Sequence, residues 1–318
     1  MKSSEARFRY SGWFLLLILA LLLLDSCQTL KKKPPGPHEN YGAKAEIVIK
    51  NVAYAEGVPA AEMLKLDVYS NPHPGLWPAV VAIHGGAWIK GDKEMDNKVY
   101  VCQVLANNGY VVFNIDYRLA PEFPIRDQIE DAMGAVIWVK EHAKEYGADP
   151  ERVGVVGGSA GGHLGAMVAW ASDDEYFKPT GHPESGLDSE VKVAALYYPV
   201  IDVDRTLKEN GKGMAWLGES VLAGAVGKKY QGQLKHISPM NHIDQKCVPT
   251  ILLTGDADEL KLYPQSVETV KKLKELGIDA ELFTAAGKKH GFTWEYWDPV
   301  SVDSVQAIVK FFDRYMKG

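Results

Sequence analysis

Hydrophobic and polar residues alternate along 45–55 and 62–70, and this alternation predicts two β-strands joined by a turn near Gly57. Longer apolar runs without alternation follow, and such runs are typical of strands buried on both faces. These runs are PAVVAIHGG, YVVFNIDY, RVGVVGG, KVAALYYP, PTILLTG and AELFTAA. Helical periodicity predicts helices between the strands, near 94–108, 124–146, from about 160, 264–276 and 300–316.

The order of these elements indicates the fold class. An antiparallel hairpin comes first, and strands then alternate with helices, which predicts an α/β protein. We expect a mostly parallel central sheet with helices on both faces and an antiparallel N-terminal hairpin. Ligands of such sheets bind beyond the carboxyl ends of the strands. The segments HGG, GGSAGG and GDAD all follow predicted strands, so the fold would gather them on one edge of the sheet.

The glycine-rich turn after the third apolar run carries the first candidate chemistry. Gly157-Gly158-Ser159-Ala160-Gly161 fits the pattern G-x-S-x-G, in which small residues let a serine occupy a tight strand-to-helix turn with its hydroxyl exposed. Taken alone, the turn also fits an incidental serine or a phosphate-binding loop, although the dinucleotide pattern G-x-G-x-x-G matches only loosely. The motif therefore makes Ser159 a candidate nucleophile.

A nucleophilic serine needs a histidine as base and an acid that orients the histidine. His290 follows the last predicted strand, between Gly287 and Gly291, which allow the chain to turn back over the site. For the acid we favour Asp258, which stands three residues after the glycine that ends the strand TILLTG. The other acids that follow neighbouring strands are Asp256, Glu259, Asp202 and Asp204.

Acyl transfer also needs N–H donors directed at the oxyanion of the transition state. Gly85 and Gly86 follow a strand, and glycines allow close approach of the backbone. Together with the N–H of Ala160, they match the two-part oxyanion hole of this kind of site. We expect His84 to brace this loop by hydrogen bonding rather than to act as a base.

These segments together resemble one family. The segments are His84–Trp88, Asp116–Pro121, Gly157–Gly162, Asp258 and His290–Phe292. Over about residues 46–316 the chain resembles the acetyl esterase/lipase group of α/β-hydrolases. The resemblance implies hydrolysis of carboxylic esters without a cofactor. It also implies a triad of Ser159, Asp258 and His290 and an oxyanion hole of Gly85, Gly86 and Ala160.

The predicted hairpin begins directly after a linker, without the N-terminal cap of the relatives that resemble hormone-sensitive lipase. The chain therefore resembles the feruloyl and acetyl-xylan esterase branch, which implies short-chain esters, including acetyl or feruloyl groups on polysaccharide. We expect Trp88 and Trp294 to contact the substrate. Three alternatives stay open: an amide hydrolase similar to kynurenine formamidase, a general lipase-like carboxylesterase, and a noncatalytic surface lipoprotein.

The composition of the chain limits which classes of partner it can bind. The 318 residues are 46% hydrophobic and 24% charged, with a formal net charge of −6, which argues against a nucleic-acid-binding protein. The histidines are scattered, with His236 and His242 expected in exposed loops, so no metal site is predicted. We expect Arg118 and Asp131 to form a structural pair. The cysteines of the body, Cys102 and Cys247, are expected to be buried free thiols.

The first residues predict export. Basic residues precede the apolar run Phe14–Leu24, which has the length of a signal-peptide core and is short for a membrane span. Leu24-Asp25-Ser26-Cys27 resembles a bacterial lipoprotein box. We predict a signal peptide at 1–26, a lipidated Cys27, a Pro/Lys-rich linker at 27–44 and a catalytic domain at 45–318. The protein would be a lipoprotein of the outer membrane, periplasm or cell surface; a cleaved secretion signal and a retained anchor are the alternatives.

Overall fold

The computed structural model describes residues 45–181, 186–216 and 231–317. The predicted signal peptide, the candidate lipidation site Cys27 and the predicted linker lie outside the described residues. In the described ranges, no helix is both long and apolar enough to cross a membrane.

An eight-stranded sheet runs through the described residues. Its strands are β1 (Ile47–Ala53), β2 (Lys65–Ser70), β3 (Trp77–Ile83), β4 (Val111–Ile115), β5 (Ala148–Gly158), β6 (Val193–Tyr197), β7 (Thr250–Gly255) and β8 (Ala280–Ala285). The spatial order is β1-β2-β4-β3-β5-β6-β7-β8. β2 pairs antiparallel with β1 and with β4, and every other pair of neighbours is parallel.

Helices cover both faces of this sheet. They are α1 (Asp96–Asn107), α2 (Ile125–His142), α3 (Ala160–Trp170), α4 (Val203–Trp216), α5 (Gln231–His236), α6 (Leu262–Glu275) and α7 (Pro299–Met316). Buried residues of α2, α3 and α6 share one hydrophobic core, whereas those of α1 and α7 share the other. The α/β fold class predicted from the sequence is therefore confirmed.

The apolar strands explain why two cores form. Along β3, Val81 and Ile83 pack into the core of α2 and α3, and the alternate residues Val80 and Ala82 pack into the core of α1 and α7. Successive side chains of a strand point to opposite faces, so a strand between two helical layers is mainly apolar on both faces. The sequence shows this pattern over most of β3 to β7, with Asn114 in β4 and Thr254 in β7 among the buried polar exceptions.

The strand order places the functional loops side by side. β5 lies between β3 and β6, and β7 and β8 follow at the edge. Because these strands are parallel, the loops after β3, β5, β6, β7 and β8 all emerge at the same edge of the sheet. The segments that carry Gly85, Ser159, Asp258 and His290 are among these loops.

A buried ion pair fixes the loop after β4 against α2. The Arg118 guanidinium donates from Nη2 and Nε to the Asp131 carboxylate at 2.6 and 2.9 Å, and the Arg118 backbone N–H donates to the same carboxylate. Both side chains are buried. The expected structural pair is confirmed, and Cys102 and Cys247 are both buried and free, as expected.

Candidate active site

Ser159 occupies a strained turn between β5 and α3. Its backbone angles are φ 56° and ψ −117°, a conformation that L-residues rarely adopt. A Cβ on Gly157 would lie 2.0 Å from the carbonyl oxygen of Gly161, and one on Gly161 would lie 2.3 Å from the carbonyl oxygen of Ile83. The glycines on both sides of the serine are therefore required by the close approach of the backbone.

The structure brings Ser159, His290 and Asp258 together in one hydrogen-bonded line. Ser159 Oγ lies 3.0 Å from His290 Nε2, and His290 Nδ1 lies 3.0 Å from Asp258 Oδ2. The Asp258 side chain is fully buried, whereas that of His290 is 19% exposed. A buried carboxylate on Nδ1 keeps the Nδ1–H tautomer, which leaves Nε2 free to accept the serine proton.

The loops after β7 and β8 hold this line in place. Asp258 Oδ1 accepts the backbone N–H of Leu260 at 2.8 Å, and Glu259 accepts the backbone N–H of His290 at 3.0 Å. Gly287 and Gly291 have φ values of 69° and 71°, so both turns around His290 use the left-handed region that favours glycine.

The other acids considered from the sequence have different partners. Asp256 accepts the backbone N–H of Gly287 at 2.6 Å and shapes the β8 loop. Asp202 accepts the backbone N–H of Arg205 at 2.9 Å, at the start of α4. Of the acids considered, Asp258 is the one bonded to the His290 imidazole.

Tyr198 packs against the candidate base, a contact that sequence reasoning missed. Its ring meets the imidazole of His290 edge-on, with 4.9 Å between centroids, and its hydroxyl bonds to Thr293 Oγ1. Burial raises the pKa of Tyr198, so the phenol is neutral around pH 7. Its position could have indicated this contact, because Tyr198 directly follows β6, the neighbour of the strand that leads to Ser159.

The loop after β3 lies against the serine turn. A Cβ on Gly85 would lie 2.8 Å from the Gly158 carbonyl oxygen and 3.5 Å from Ser159 Cβ, so the Gly85 backbone is in contact with the nucleophile turn. Gly86 has φ 128°, which favours glycine. Ala160 is the first residue of α3, so its N–H has no acceptor within the helix. Of the three predicted oxyanion donors, Gly85 and Ala160 thus lie beside Ser159.

His84 braces this loop, as the sequence analysis predicts. Its Nδ1 lies 2.7 Å from the Gly85 carbonyl oxygen, and its ring stacks on Tyr117 with centroids 4.2 Å apart. The Tyr117 hydroxyl donates to the His84 carbonyl oxygen at 3.1 Å. Burial lowers the pKa of His84 to about 4, so the imidazole is neutral around pH 7 and adds no charge to this loop.

The two tryptophans predicted to contact substrate differ in exposure. Trp88 is 2% exposed and its Nε1–H donates to His163 Nδ1 at 3.3 Å, while His163 Nε2 donates to the Ile237 carbonyl oxygen at 2.7 Å. The prediction for Trp88 is therefore wrong: its indole ties the oxyanion loop to α3. Trp294 is 53% exposed.

The expectation for two further histidines is also wrong. His236 and His242 are half-buried, and they cluster with Asp174 rather than lying apart in exposed loops. Among the described residues, these three side chains form a group that could hold a metal ion. The group shares no residue with the Ser159–His290–Asp258 line.

Comparison with known families agrees with this geometry. Residues 66–273 match the model of the BD-FAE family. The chain belongs to the BD-FAE family. The predicted resemblance to an esterase group of the α/β-hydrolases is thereby confirmed.

Among curated relatives of this BD-FAE protein, the probable carboxylic ester hydrolase LipM of Mycobacterium tuberculosis is 32% identical over 214 residues. That match covers 66% of this chain and 49% of LipM. The chain spans about half the length of the first curated relatives that it matches.

Solved structures are similar over most of the BD-FAE chain. Thermogutta terrifontis esterase 2, phosphonylated by sarin, has a TM-score of 0.73 and 25% identity, and the match covers 87% of this chain and 99% of that one. A butyrate-bound structure, described as Est2 from the same species, has a TM-score of 0.65 and 27% identity, covering 79% and 89%. A truncated carbohydrate esterase from gut microbiota has a TM-score of 0.74 and 22% identity, covering 89% and 100%, which shows the fold alone.

We expect Trp88→Phe to lower the free energy of unfolding by about 1–3 kcal/mol, because His163 Nδ1 then loses its donor in a buried environment. Because the loop that carries Gly85 and Gly86 would lose its hydrogen bond to α3, the substitution should also lower kcat more than it raises KM. Denaturant unfolding and steady-state kinetics on p-nitrophenyl acetate measure the two effects. In unfolding, Trp294→Phe is the matched control because that indole is half exposed; equal destabilisation by both variants would contradict the role given to Trp88.

Proposed function

We propose that this protein is a serine carboxylic-ester hydrolase that acts through an acyl-enzyme on short-chain esters. The observation that carries the proposal is the line of 3.0 Å contacts from Ser159 Oγ to His290 Nε2 and from His290 Nδ1 to Asp258. Relatives with names such as carboxylic ester hydrolase and esterase support the same activity.

The geometry supports the following mechanism. Ser159 Oγ attacks the ester carbonyl carbon while His290 Nε2 takes the hydroxyl proton, and the Asp258 carboxylate stabilises the imidazolium that forms. Backbone N–H groups of Gly85, Gly86 and Ala160 donate to the oxyanion. The C–O bond to the alcohol then breaks, and His290 gives its proton to the departing oxygen.

The second half of the reaction repeats these steps with water. His290 Nε2 takes a proton from water, which attacks the acyl carbon, and the tetrahedral intermediate collapses to release the acid and return the proton to Ser159 Oγ. The position of Ser159 before the first turn of α3 adds the positive end of the helix dipole, which favours the negative oxyanion in both halves.

Short acyl groups are the proposed substrates. Est2 structures from Thermogutta terrifontis hold butyrate and propionate, acids of four and three carbons. These bound acids favour acetyl to butyryl esters as substrates of this chain.

We expect Ser159→Ala to lower kcat by roughly 10⁴- to 10⁶-fold on p-nitrophenyl esters, because the variant lacks the nucleophile. The wild-type enzyme should prefer acetate to butyrate chains over decanoate, and a fluorophosphonate probe should label it but not the variant. Ser172→Ala, beyond the C-terminal end of α3, is the matched serine control and should keep wild-type rates.

Four results would count against the proposal. Unchanged turnover by Ser159→Ala would exclude the nucleophile, and absence of labelling together with absence of turnover would indicate a noncatalytic protein. Hydrolysis of N-formylkynurenine without any ester hydrolysis would indicate an amide hydrolase. A maximum at decanoate would instead indicate a lipase-like carboxylesterase.

We further propose that the ester is linked to a polysaccharide and that Trp294 contacts the sugar. The indole follows His290 closely in sequence and packs over Gly291, where a Cβ would lie 2.7 Å from Trp294 Cδ1. The indole is therefore held against the residue that directly follows His290. Flat aromatic faces offer a large, rigid contact area, which suits the apolar face of a sugar ring.

We expect Trp294→Ala to raise KM for acetylated xylan by roughly 3- to 10-fold, the effect of losing an aromatic contact. The value of kcat/KM for p-nitrophenyl acetate should stay within about twofold. Release of acetate and of p-nitrophenol measures the two reactions, and Trp294→Phe, which keeps a ring, should behave like wild type. An equal loss on both substrates would mean that Trp294 acts on the triad and not on the sugar.

Finally, we propose that Cys27 is acylated and anchors the exported enzyme to a membrane through the Pro/Lys-rich linker. The proposal rests on the apolar run Phe14–Leu24 and on the box that ends at Cys27. We expect Cys27→Ser to lose a metabolic palmitate label and to leave the membrane fraction. Cys247→Ser should keep both. A label that persists in Cys27→Ser would disprove acylation at this residue.

A further inference from the structure

Three polar side chains from separate segments meet on one side of α3. Asp174 precedes the short helical turn Glu175–Phe177, which follows α3. His236 is the last residue of α5, and His242 is the last residue of the turn Pro239–His242. A carboxylate and two imidazoles are the ligand set found in many zinc sites.

The ligand atoms are already close together. Asp174 Oδ2 lies 2.7 Å from His236 Nε2 and 3.8 Å from His242 Nδ1, and one atom from each residue falls within 4.8 Å of the others. Around a tetrahedral ion with bonds of about 2.0–2.1 Å, ligand atoms stand about 3.3 Å apart. The two separations from Asp174 differ from this value by about half an ångström, and the two imidazole nitrogens would adjust within their 4.8 Å limit to admit the ion.

The hydrogen bonds of the group direct a lone pair of His242 at Asp174, whereas His236 Nε2 donates to Asp174 and would give up that proton when a metal binds. His242 Nε2 lies 2.5 Å from the carbonyl oxygen of His236 and donates to it, so a singly protonated ring has its lone pair on Nδ1, the nitrogen that faces the Asp174 carboxylate. Two electron-rich atoms that face each other favour a cation between them. An imidazole N–H bonded to a backbone carbonyl is also the usual outer contact of a metal-binding histidine.

The surroundings hold the remaining atoms in position. Asp174 Oδ1 accepts the backbone N–H of Tyr176 at 2.9 Å, which leaves Oδ2 to face the histidines. The rings of Tyr176 and Phe177 pack against His236, with centroids 4.6 and 5.1 Å away. The three candidate ligands keep 14–37% of their side-chain surface exposed, so an ion can enter from solvent.

We propose that Asp174, His236 and His242 bind one divalent transition-metal ion of the zinc class, with water completing the coordination. Two imidazoles beside one carboxylate favour Zn²⁺ over Mg²⁺ or Ca²⁺, which prefer oxygen ligands. The site is separate from the Ser159 line and does not depend on the proposed esterase activity.

The ion would cross-link two segments that pack against the candidate active site. Ile237, the neighbour of His236, accepts the hydrogen bond from His163, and His163 in turn accepts from Trp88 of the oxyanion loop. Binding would therefore fix the segment from α5 to His242 onto the segment after α3. The expected result is greater thermal stability of this region, because a ligand that binds only the folded state stabilises it.

The test is zinc binding by the full-length chain, purified in detergent without a histidine tag and stripped with EDTA. Isothermal titration with ZnCl₂ should give one site per chain, and ZnCl₂ but not MgCl₂ should raise Tm. Asp174→Asn, His236→Gln and His242→Gln should each weaken binding at least about tenfold and abolish the Tm shift. His142→Gln is the matched histidine control and should bind like wild type.

Asp174→Asn separates loss of the metal site from loss of the fold. Asparagine also caps a helical turn, so this variant should stay folded, and circular dichroism can verify that it does. Absence of zinc binding by the wild type would overturn the proposal. So would binding that all three variants retain, since it would then come from other histidines. Loss of binding in a folded Asp174→Asn, with the control unaffected, supports the site whatever the outcome of the ester assays.

Discussion

The backbone of the turn around Ser159 approaches its neighbours so closely that side chains are excluded. A Cβ on Gly157 or Gly161 would lie within 2.3 Å of a carbonyl oxygen, in one case that of Ile83 at the end of β3. The contact locks β3, β5 and α3 into one junction. The candidate oxyanion loop leaves this junction from β3, and Ser159 lies within it. Asp258 reaches the serine from the loop after β7, and His290 reaches it from the loop after β8. The geometry of the candidate site therefore depends on this close contact.

Much of this arrangement is encoded in local sequence. Strands buried on both faces are mainly apolar, and such continuous apolar runs made β3 to β7 recognisable without a structure. The glycines around Ser159, the pair Gly85–Gly86 and the glycines beside His290 mark places where the backbone bends sharply or approaches another segment. Such requirements leave few alternative backbones, so the members of the Ser159–His290–Asp258 line and the candidate oxyanion loop could be predicted from the chain alone.

Other features depend on partners far away along the chain. From sequence alone, an aromatic residue after HGG could either line a substrate pocket or pack in the core. For Trp88 the core contact is observed, because its indole N–H donates to His163, which lies 75 residues later in the chain. His236 and His242 have no ligand spacing of their own; Asp174 joins them only through folding, across 62 residues from His236. Tyr198 was overlooked because a tyrosine after an apolar strand has no distinctive pattern.

Ser159 precedes the candidate base and acid along the chain, so it is also synthesised before them. Ser159 and His290 are 131 residues apart, and β6, β7 and β8 are all made after the serine. A growing polypeptide therefore displays a serine hydroxyl with no base beside it, and such a hydroxyl is a weak nucleophile. The hydrogen-bonded line from Ser159 through His290 to Asp258 therefore forms only after the last two strands have docked, so an incomplete copy of the chain lacks the complete candidate site.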